Sequence, residues 1–459
     1  MKKILMKRRN LLLIPLLGIL TLTTLFSCGQ DRWPEYYPLT GRDLWIDSVM
    51  RQDYLWYEDI PSPKELNYFQ EPAAFLKSLL SSYDKGFSTV DTLDNTPVPS
   101  YGFDYTLYKL TTSDTVYNAL ISYVIPNSPA ANAGLERGEW IMLIDGDSIT
   151  KKTEKLLVDG GNRELLIGKY TVQKDEEDKE MGIIQSDRNV NLPAARTVTD
   201  NAIHARRIFT LQNTNLIVGY LAYNQFVPGS TDGSQDYNAI LRSFSSECKE
   251  AGVNNFILDL RYNPGGEMEC VQLLGDILAP ADKLDSPLAF LQYNNKQSAK
   301  NRDLILDAQL LQGGANLNLS TLYVITSGTT AGAAEMLINC LKPYMNVVLI
   351  GQTTKGENVG TAVYLNSRYP WVLRPVVCEI FNSNGESEYA EGFKPDYPIN
   401  ETAYLANYLP LGNPDETLLN TTLQLIVGNI ELPKPSNTRM TADKSVMMKR
   451  NVRKGLIIK

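Results

Sequence analysis

The sequence predicts a multi-domain α/β fold with a helical segment near its N-terminus. At 459 residues, the chain is long enough for roughly three domains of about 150 residues each. Its 43% hydrophobic content suffices for real cores and is too low for a multi-span membrane protein. Strand-like and helix-like segments alternate between residues 205 and 400, and this alternation favours βαβ units in a partly parallel sheet.

The charge balance excludes some classes of partner and site. The formal net charge is −8, and it becomes −13 without the first 27 residues, which carry five cations and no acid. So acidic a chain is a poor candidate for binding phosphate backbones, and no nucleic-acid partner is predicted. The single His excludes a multi-His metal centre and makes any imidazole catalysis depend on His204, which we expect at a surface or between domains. No metal or organic cofactor is implied.

Residues 1–27 have the pattern of a secretory signal peptide. The first ten residues are basic, residues 11–26 are apolar or nearly so, and Ser27 precedes Cys28. The 16-residue apolar stretch is short for a spanning helix, which needs about 20 residues. A Cys directly after a small residue resembles the lipobox of bacterial lipoproteins, which implies lipid attachment at Cys28. The protein would then be a cell-envelope lipoprotein at the periplasmic face or outer membrane; a plain signal peptide or an anchor helix is the alternative.

Residues 28–97 are predicted to form a tether and a helical cap. Residues 29–40 are polar and contain Pro, as is typical of a tether. Beyond them, two apolar sets recur at helical spacing, with Pro61 and Pro63 between them. The first set is Leu44, Ile46, Val49, Leu55 and Trp56, and the second is Phe75, Leu76, Leu79 and Leu80.

Residues 98–200 have the short apolar runs of a β domain. Ala119–Ile125 and Trp140–Ile144 are strand-like, and the turn Asp145-Gly146-Asp147 follows the second of them. The charged stretch 174–190 is predicted to be a solvated hairpin or loop.

Residues 201–432 are predicted to form an α/β core, and residues 433–459 a basic tail for which disorder is expected. Cys248, Cys270, Cys340 and Cys378 are widely spaced in apolar surroundings, so buried free thiols are expected. The predicted strands are Leu216–Ala222, Asn255–Leu260, Leu322–Ile325 and Val347–Ile350, and the predicted helices are Tyr237–Ala251, Glu267–Leu278 and Ala331–Leu341.

Three stretches resemble the carboxy-terminal processing (tail-specific) serine peptidases. The first, Asn127–Ile149, resembles the PDZ domain of those enzymes. Gly102 and Phe103 lie where that family places its carboxylate-binding loop. The resemblance implies that an extended peptide or protein C-terminus adds a strand to this domain.

The second stretch, Leu258–Gly266, contains every fixed position of the family pattern Asp-Leu-Arg-x-Asn-x-Gly-Gly. It implies a crotonase-like α/β peptidase core. In the family this turn contributes to the oxyanion hole, which stabilises charge on the scissile carbonyl. The corresponding residues here are Gly265, Gly266 and Ala333.

The third stretch, Thr326–Glu335 followed by residues 347–360, lacks the expected reactive groups. The family's nucleophilic Ser lies three residues before the helical Glu, which places it at Gly332. Its Lys general base lies 25 residues further on, at Glu357. A Gly has no atom that can attack a carbonyl, and a carboxyl group carries the opposite charge to the Lys. The family's usual Gln is also not evident, and Thr361 lies near its place.

The sequence leaves four functions open. A peptidase-like protein could bind peptides without cleaving them. An active serine peptidase could use displaced groups, with Ser327, Thr329 or Thr330 attacking and Lys355 as base. Glu357 could activate a water molecule in the space at Gly332. Finally, a structural envelope lipoprotein could retain a vestigial cleft. The predicted partners are unfolded or C-terminal peptide segments, and the membrane through the lipid anchor.

Overall fold

The computed structural model describes residues 33–93, 98–109, 115–174, 178, 180–212, 214–429, 432–438, 440–447 and 455–458. The predicted signal peptide and Cys28 lie outside these residues. Within the described part of the chain, no helix has both the length and the apolar character needed to cross a membrane.

The N-terminal part is a helical cap that packs on the core. Helices α1 (Trp33–Asp53) and α2 (Pro72–Leu79) contribute Ile46, Phe75 and Leu79 to one buried cluster, which also contains Leu373 and Val376 of the core. A small antiparallel sheet borders this cluster, formed by β1 (Thr89–Thr92), β17 (Tyr364–Leu365) and β18 (Trp371–Arg374).

The predicted tether at residues 29–40 is wrong from Trp33 onward, because α1 already begins there. Its Pro34 falls in the first helical turn, where a missing backbone N–H costs no intrahelical bond.

The middle part is a β domain. Its seven-stranded sheet has the order β21-β2-β3-β4-β6-β7, with β5 on β4, and a short helix α3 (Pro129–Asn132). Asp145 and Gly146 both have positive φ, as a tight hairpin turn requires. Strands β6 and β7, on either side of residues 175–179, pair antiparallel, as in the hairpin predicted for the charged stretch. The strands are β2 (Phe103–Lys109), β3 (Tyr117–Val124), β4 (Trp140–Ile144), β5 (Asp147–Ser148), β6 (Arg163–Lys174), β7 (Glu180–Leu192) and β21 (Thr441–Val446).

The core contains a mainly parallel sheet with the order β20-β15-β14-β10-β9-β8, in which β8 pairs antiparallel with β9. The predicted alternation of strands and helices is therefore confirmed. The strands are β8 (Ile203–Thr210), β9 (Ile217–Tyr223), β10 (Asn255–Asp259), β14 (Thr321–Thr326), β15 (Asn346–Gly351) and β20 (Tyr397–Pro398). The helices are α4 (Tyr237–Ala251), α5 (Met268–Leu278), α6 (Ala333–Leu341) and α7 (Thr417–Ile426).

A second core sheet has the order β11-β22-β16-β19-β12-β13. The largest buried cluster joins both core sheets through α4, α5 and α6, and it encloses the four cysteines as buried thiols outside any disulfide, as predicted. The strands of this sheet are β11 (Gly265–Glu267), β12 (Pro287–Tyr293), β13 (Arg302–Ile305), β16 (Val359–Ala362), β19 (Val376–Asn382) and β22 (Gly455–Ile458).

The expected disorder of residues 433–459 is wrong at two places. Strand β21 pairs antiparallel with β2 of the middle domain, and β22 lies between β11 and β16 of the core, parallel to both. The basic composition of the tail gave no sign of this pairing, because backbone groups make it and the partners are distant in sequence. The second strand enters the region where the predicted site residues lie.

Candidate functional site

A glycine turn after β10 forms one wall of the candidate site. Gly265 and Gly266 have φ of 119° and 138°, which residues with a side chain rarely adopt. Asn263 supports this turn: its Oδ1 accepts from the Gly265 N–H at 2.9 Å, and its amide donates to the Tyr223 carbonyl at 2.8 Å. These hydrogen bonds within the chain hold the turn in place without a ligand.

The Arg of the Asp-Leu-Arg stretch is buried in an ion network beside this turn. Arg261 pairs with Asp259 at 2.8 Å, with Glu416 at 2.8 Å and with Glu401 at 2.6 Å. Arg137 of the middle domain pairs with the same Glu401 at 2.7 Å. The network therefore links the glycine turn to α7 and to the middle domain.

A second turn, between β14 and α6, is fastened to the first. The Ser327 hydroxyl donates to the Arg261 carbonyl at 2.5 Å, and the Thr330 hydroxyl donates to the Leu260 carbonyl at 2.8 Å. A backbone hydrogen bond also connects the two turns, because the Ala331 N–H donates to the Asn263 carbonyl at 3.1 Å. The hydrogen bonds of both hydroxyls therefore hold the two turns together.

Gly332 begins α6 in an unusual backbone conformation, with φ 51° and ψ −109°. Such a strand-to-helix turn is the kind that presents the nucleophile in α/β-hydrolases. In this chain the conformation is present and the side chain is not.

Glu335 connects the Gly332 position to the Glu357 position. Its fully buried carboxylate accepts from the N–H groups of Gly332 (3.2 Å), Gly356 (2.7 Å) and Glu357 (2.8 Å), and also from the Thr354 hydroxyl. Burial raises the pKa of Glu335, and these donors oppose that rise. One carboxylate thus holds two segments that are 25 residues apart in sequence.

Strand β22 fills the space between these walls. The Gly455 N–H donates to the Pro264 carbonyl at 2.7 Å, and the Thr361 hydroxyl donates to the Leu456 carbonyl at 3.0 Å. A Cβ added to Gly332 would lie 2.2 Å from the Gly455 carbonyl carbon, and one added to Gly265 would lie 1.9 Å from the Gly455 oxygen. The Gly455–Leu456 peptide bond therefore lies directly against Gly332, the predicted nucleophile position, and against Gly265, a predicted oxyanion-hole residue.

Comparisons with known proteins agree with this architecture. A model of Peptidase family S41 matches residues 217–399, and a model of the Peptidase S41 N-terminal domain matches residues 43–89. A crystal structure described as an S41 protease of Bacteroides fragilis NCTC 9343 is 51% identical and has a TM-score of 0.79, covering 84% of this chain and 97% of that one. The chain belongs to peptidase family S41.

Curated relatives of this S41 chain include two named proteases. It is 26% identical over 300 residues to the carboxy-terminal-processing protease of Bartonella bacilliformis, covering 62% of this chain and 60% of the relative. It is 25% identical over 277 residues to the carboxy-terminal processing protease CtpA of Bacillus subtilis, covering 60% of this chain and 52% of the relative. The S41 chain thus spans between half and three-fifths of the length of these relatives. The predicted family membership is confirmed, and the PDZ assignment remains a prediction.

The structure brings most of the predicted site residues of the S41 chain together. Gly332, Gly265 and Glu357 all face Gly455, while Gly266 pairs with Leu456. Ala333 is the first residue of α6, directly after Gly332. Their assigned roles stay predictions. Sequence reasoning missed Gly455, because only the pairing with distant strands reveals it.

Gly102 and Phe103 lie away from this cleft, at the start of β2 in the middle domain. The Gly102 N–H donates to Ser100 Oγ at 3.1 Å, and the Phe103 side chain is 3% exposed. The predicted carboxylate loop therefore has one of its backbone donors engaged within the loop.

The displaced groups proposed for an active peptidase, a hydroxyl and the Lys355 ammonium, are not paired with each other in the described residues. Lys355 is exposed, and its backbone N–H donates to the Thr330 carbonyl at 2.9 Å. Within the described residues, its ammonium makes no hydrogen bond to the hydroxyls of Ser327 or Thr330, which serve the turn instead.

His204 lies between domains, as predicted. It is on β8, and its Nδ1 is 3.1 Å from the Tyr123 hydroxyl of the middle domain. Across the described part of the chain, no group of three or more His, Cys, Asp or Glu side chains is arranged to hold a metal ion.

Glu357 is a buried acid with an altered pKa. Burial raises the pKa of Glu357 to about 8, and the neighbouring Glu335 carboxylate adds to the rise. Lys355 and the Leu456 N–H lower it, but less. At neutral pH this side chain is therefore mostly a neutral carboxylic acid, at the position predicted to correspond to the family's Lys.

The variant Glu357→Gln is expected to stabilise the S41 chain at alkaline pH. The folded chain retains a proton on Glu357 that the unfolded chain releases above its usual pKa of 4.5, so stability falls as pH rises from about 4.5 to 8. Gln does not titrate, so the melting temperature should rise by about 5 °C at pH 8.5 and change little at pH 4.5. Thermal unfolding at both pH values measures this. The exposed Glu269→Gln is the matched control, and an equal effect at both pH values would contradict the assignment.

Proposed function

We propose that this S41 chain is a cell-envelope lipoprotein that binds extended peptides or protein C-termini and does not cleave them. The observation that carries the proposal is the seating of strand β22 between β11 and β16, with its peptide carbonyl against Gly332. The cleft thus accepts an extended segment in a substrate-like position where no attacking atom is present.

The electrostatics of the cleft support binding without cleavage. The Gly455 carbonyl oxygen lies against the Gly265 turn, 1.9 Å from where a Cβ on Gly265 would be. The Leu456 N–H, which would be the leaving amine, faces Glu357. A mostly neutral carboxylic acid cannot replace a Lys that takes a proton from Ser and returns it to the amine.

The edge of the middle domain supports a second contact for the peptide. Strand β2 begins at Phe103, which is itself a residue of the predicted carboxylate loop, and β21 runs antiparallel to it. This is the mode in which PDZ domains add a peptide as an extra strand. We infer that β2 is the edge that receives extended ligands.

Attachment to the membrane is part of the proposal. The basic and apolar residues before Cys28 support export and lipid modification at that Cys, on the periplasmic face or in the outer membrane. Mass spectrometry of the mature N-terminus tests this, and an unmodified Cys28 contradicts it.

An active peptidase with displaced groups has less support. Its candidate nucleophiles Ser327 and Thr330 donate their protons to backbone carbonyls, which leaves each hydroxyl aimed away from a substrate. A purely structural lipoprotein with a vestigial cleft differs from our proposal in one measurable respect, which is peptide binding.

The proposal predicts binding of an unfolded protein without its cleavage. We would use a soluble chain of residues 29–447, which lacks β22, with carboxymethylated casein. Casein should bind with a Kd of about 1–100 μM by fluorescence anisotropy, and mass spectrometry should find no new fragments.

Two variants of the 29–447 chain serve as controls. Gly360→Val, on β16, fills space that Ile458 otherwise occupies and should weaken binding, whereas the exposed Val363→Thr should not. Cleavage by the unmodified 29–447 chain would overturn the proposal, and so would a complete absence of binding.

A further inference from the structure

The C-terminal tail contacts two separate surfaces of the chain. Its first strand pairs with β2, with Val446 opposite Tyr105 and Thr441 opposite Lys109. Its second strand pairs with Gly265–Glu267 on one side and with Thr361 and Ala362 on the other. These are the two surfaces that the proposed function assigns to an extended peptide.

The contact at β2 is shallow. The side chains of residues 441–445 are exposed, and Val446 is half-buried. Two polar contacts assist the backbone pairing: Ser445 Oγ is 2.9 Å from Thr106 Oγ1, and Lys444 pairs with Glu154 at 3.5 Å. Exposed pairs of this kind add little free energy, so this strand is held mainly by its backbone.

The contact in the cleft is deep and apolar. Gly455 is buried, and Leu456, Ile457 and Ile458 are 1%, 6% and 5% exposed. Leu456 and Ile458 belong to the main buried cluster of the core. Burying three large aliphatic side chains supplies a strong hydrophobic contribution to docking.

The geometry restricts the residue at the start of this strand. A Cβ added to Gly455 would lie 2.3 Å from Glu357 Oε1, and Gly455 has φ 73°. Gly332 and Gly265 contact the same residue from other sides. The cleft therefore favours a Gly followed by aliphatic residues.

We propose that residues 455–458 are the resident ligand of the cleft, and that the external ligands are C-terminal segments in which a Gly is followed by large aliphatic residues. This inference rests on the proposed function and names its ligand class. The tail and an external segment use the same backbone partners and the same apolar space, so only one of them can be bound. An external C-terminus must therefore compete with the tail for the cleft, and the affinity of the tail sets how tightly it has to bind.

The test uses the chain's own tail as a free peptide. The probe is a fluorescent synthetic peptide of residues 451–459, and the proteins are the soluble chains 29–459 and 29–447. The peptide should bind the shorter chain with micromolar Kd and the longer chain at least about tenfold more weakly, because the resident tail leaves only a fraction of clefts open. A matched peptide with Gly455→Trp should lose binding to both.

A second variant guards against misfolding of the shortened chain. Gly455→Val in the full 29–459 chain retains every other residue and should eject β22, since the added methyl groups meet Glu357 and the positive φ disfavours Val. This variant should bind the wild-type peptide about as tightly as chain 29–447 does. Circular dichroism on both proteins verifies that they are folded.

The outcomes separate this inference from the proposed function. If chain 29–447 binds carboxymethylated casein but not the tail peptide, the ligand class is wrong and peptide binding stands. If the peptide binds both chain lengths equally, the tail is not the resident ligand. If neither casein nor the tail peptide binds chain 29–447 or the Gly455→Val chain, the proposed function fails and this inference with it. Tight binding by chain 29–447, weak binding by chain 29–459 and gain of binding by Gly455→Val would together support it.

Discussion

The double variant Gly332→Ser/Glu357→Lys is expected to cleave casein, whereas the natural chain and each single variant do not. The first substitution would supply the missing nucleophilic hydroxyl. The second would supply an amine whose pKa falls on burial, at a site where Glu357 is 6% exposed. Nucleophile and base act as a unit, so neither substitution alone should restore turnover. We expect the double variant to exceed the natural chain by at least about 10²-fold in an assay with fluorescent casein.

The tail should be the first substrate of the double variant. The new hydroxyl oxygen at position 332 would add to the Gly455 carbonyl carbon as the new amine at position 357 takes its proton. That proton then leaves with the Leu456 amine, and water releases the Gly455 carboxylate. Because a Cβ at position 332 would lie 2.2 Å from that carbon, the strand must move slightly outward before reaction. Mass spectrometry should find a chain that ends at Gly455.

Two controls make this result interpretable. The double variant in chain 29–447 removes the internal competitor and should cleave casein faster than the double variant in chain 29–459. Cleavage by the natural chain would instead return attention to Ser327, Thr330 and Lys355. A folded double variant that retains an intact Gly455–Leu456 bond would contradict the alignment of that bond with position 332.

Local patterns allowed much of the fold to be predicted. Helix Tyr237–Ala251 was predicted with its bounds, because Asp236 caps its start and Gly252 ends it in a left-handed conformation. Strand Trp140–Ile144 was also predicted with its bounds, since an apolar run ends there at a tight turn. Such features depend on residues a few positions apart, which the sequence displays directly.

Features that depend on distant partners were not predictable. The four residues Gly455–Ile458 are too short to indicate a buried strand, and only the gap between β11 and β16 makes them one. The register from Glu335 to Glu357 was visible as a spacing, but the carboxylate that joins the two positions through backbone N–H groups was not. The sequence likewise presented Ser327 and Thr330 as candidate nucleophiles, whereas their partners are backbone carbonyls in another segment.

The variant Arg261→Ala is expected to destabilise the chain strongly at neutral pH. Arg261 and two of its partners, Asp259 and Glu416, have side chains that are each 1% exposed. Removing the guanidinium leaves these carboxylates buried without their counter-charge, which typically costs about 3–5 kcal/mol. The melting temperature at pH 7 should fall by about 10 °C, and the exposed Arg207→Ala is the control that should change it little.

The pH dependence of this loss identifies its cause. Burial raises the pKa of Glu416, but Arg261 and Arg137 lower it more, so the net pKa lies below the usual value. A lowered pKa means that the pairing stabilises the native state at neutral pH and that this contribution disappears as pH falls through the folded pKa. The difference between the natural chain and Arg261→Ala should therefore shrink from pH 7 to pH 4.

A Lys at the same position separates charge from geometry. Arg261 donates to Asp259 and Glu416 through a planar fork, with its Nη2 at 2.8 Å and 3.0 Å from their oxygens. Lys carries the charge but cannot reproduce the fork, so Arg261→Lys should lie between the natural chain and Arg261→Ala in stability. If Arg261→Ala melts within about 1 °C of the natural chain at pH 7, the network does not hold the glycine turn. In that case the Asp-Leu-Arg stretch would need another explanation than the positioning of Gly265 and Gly266.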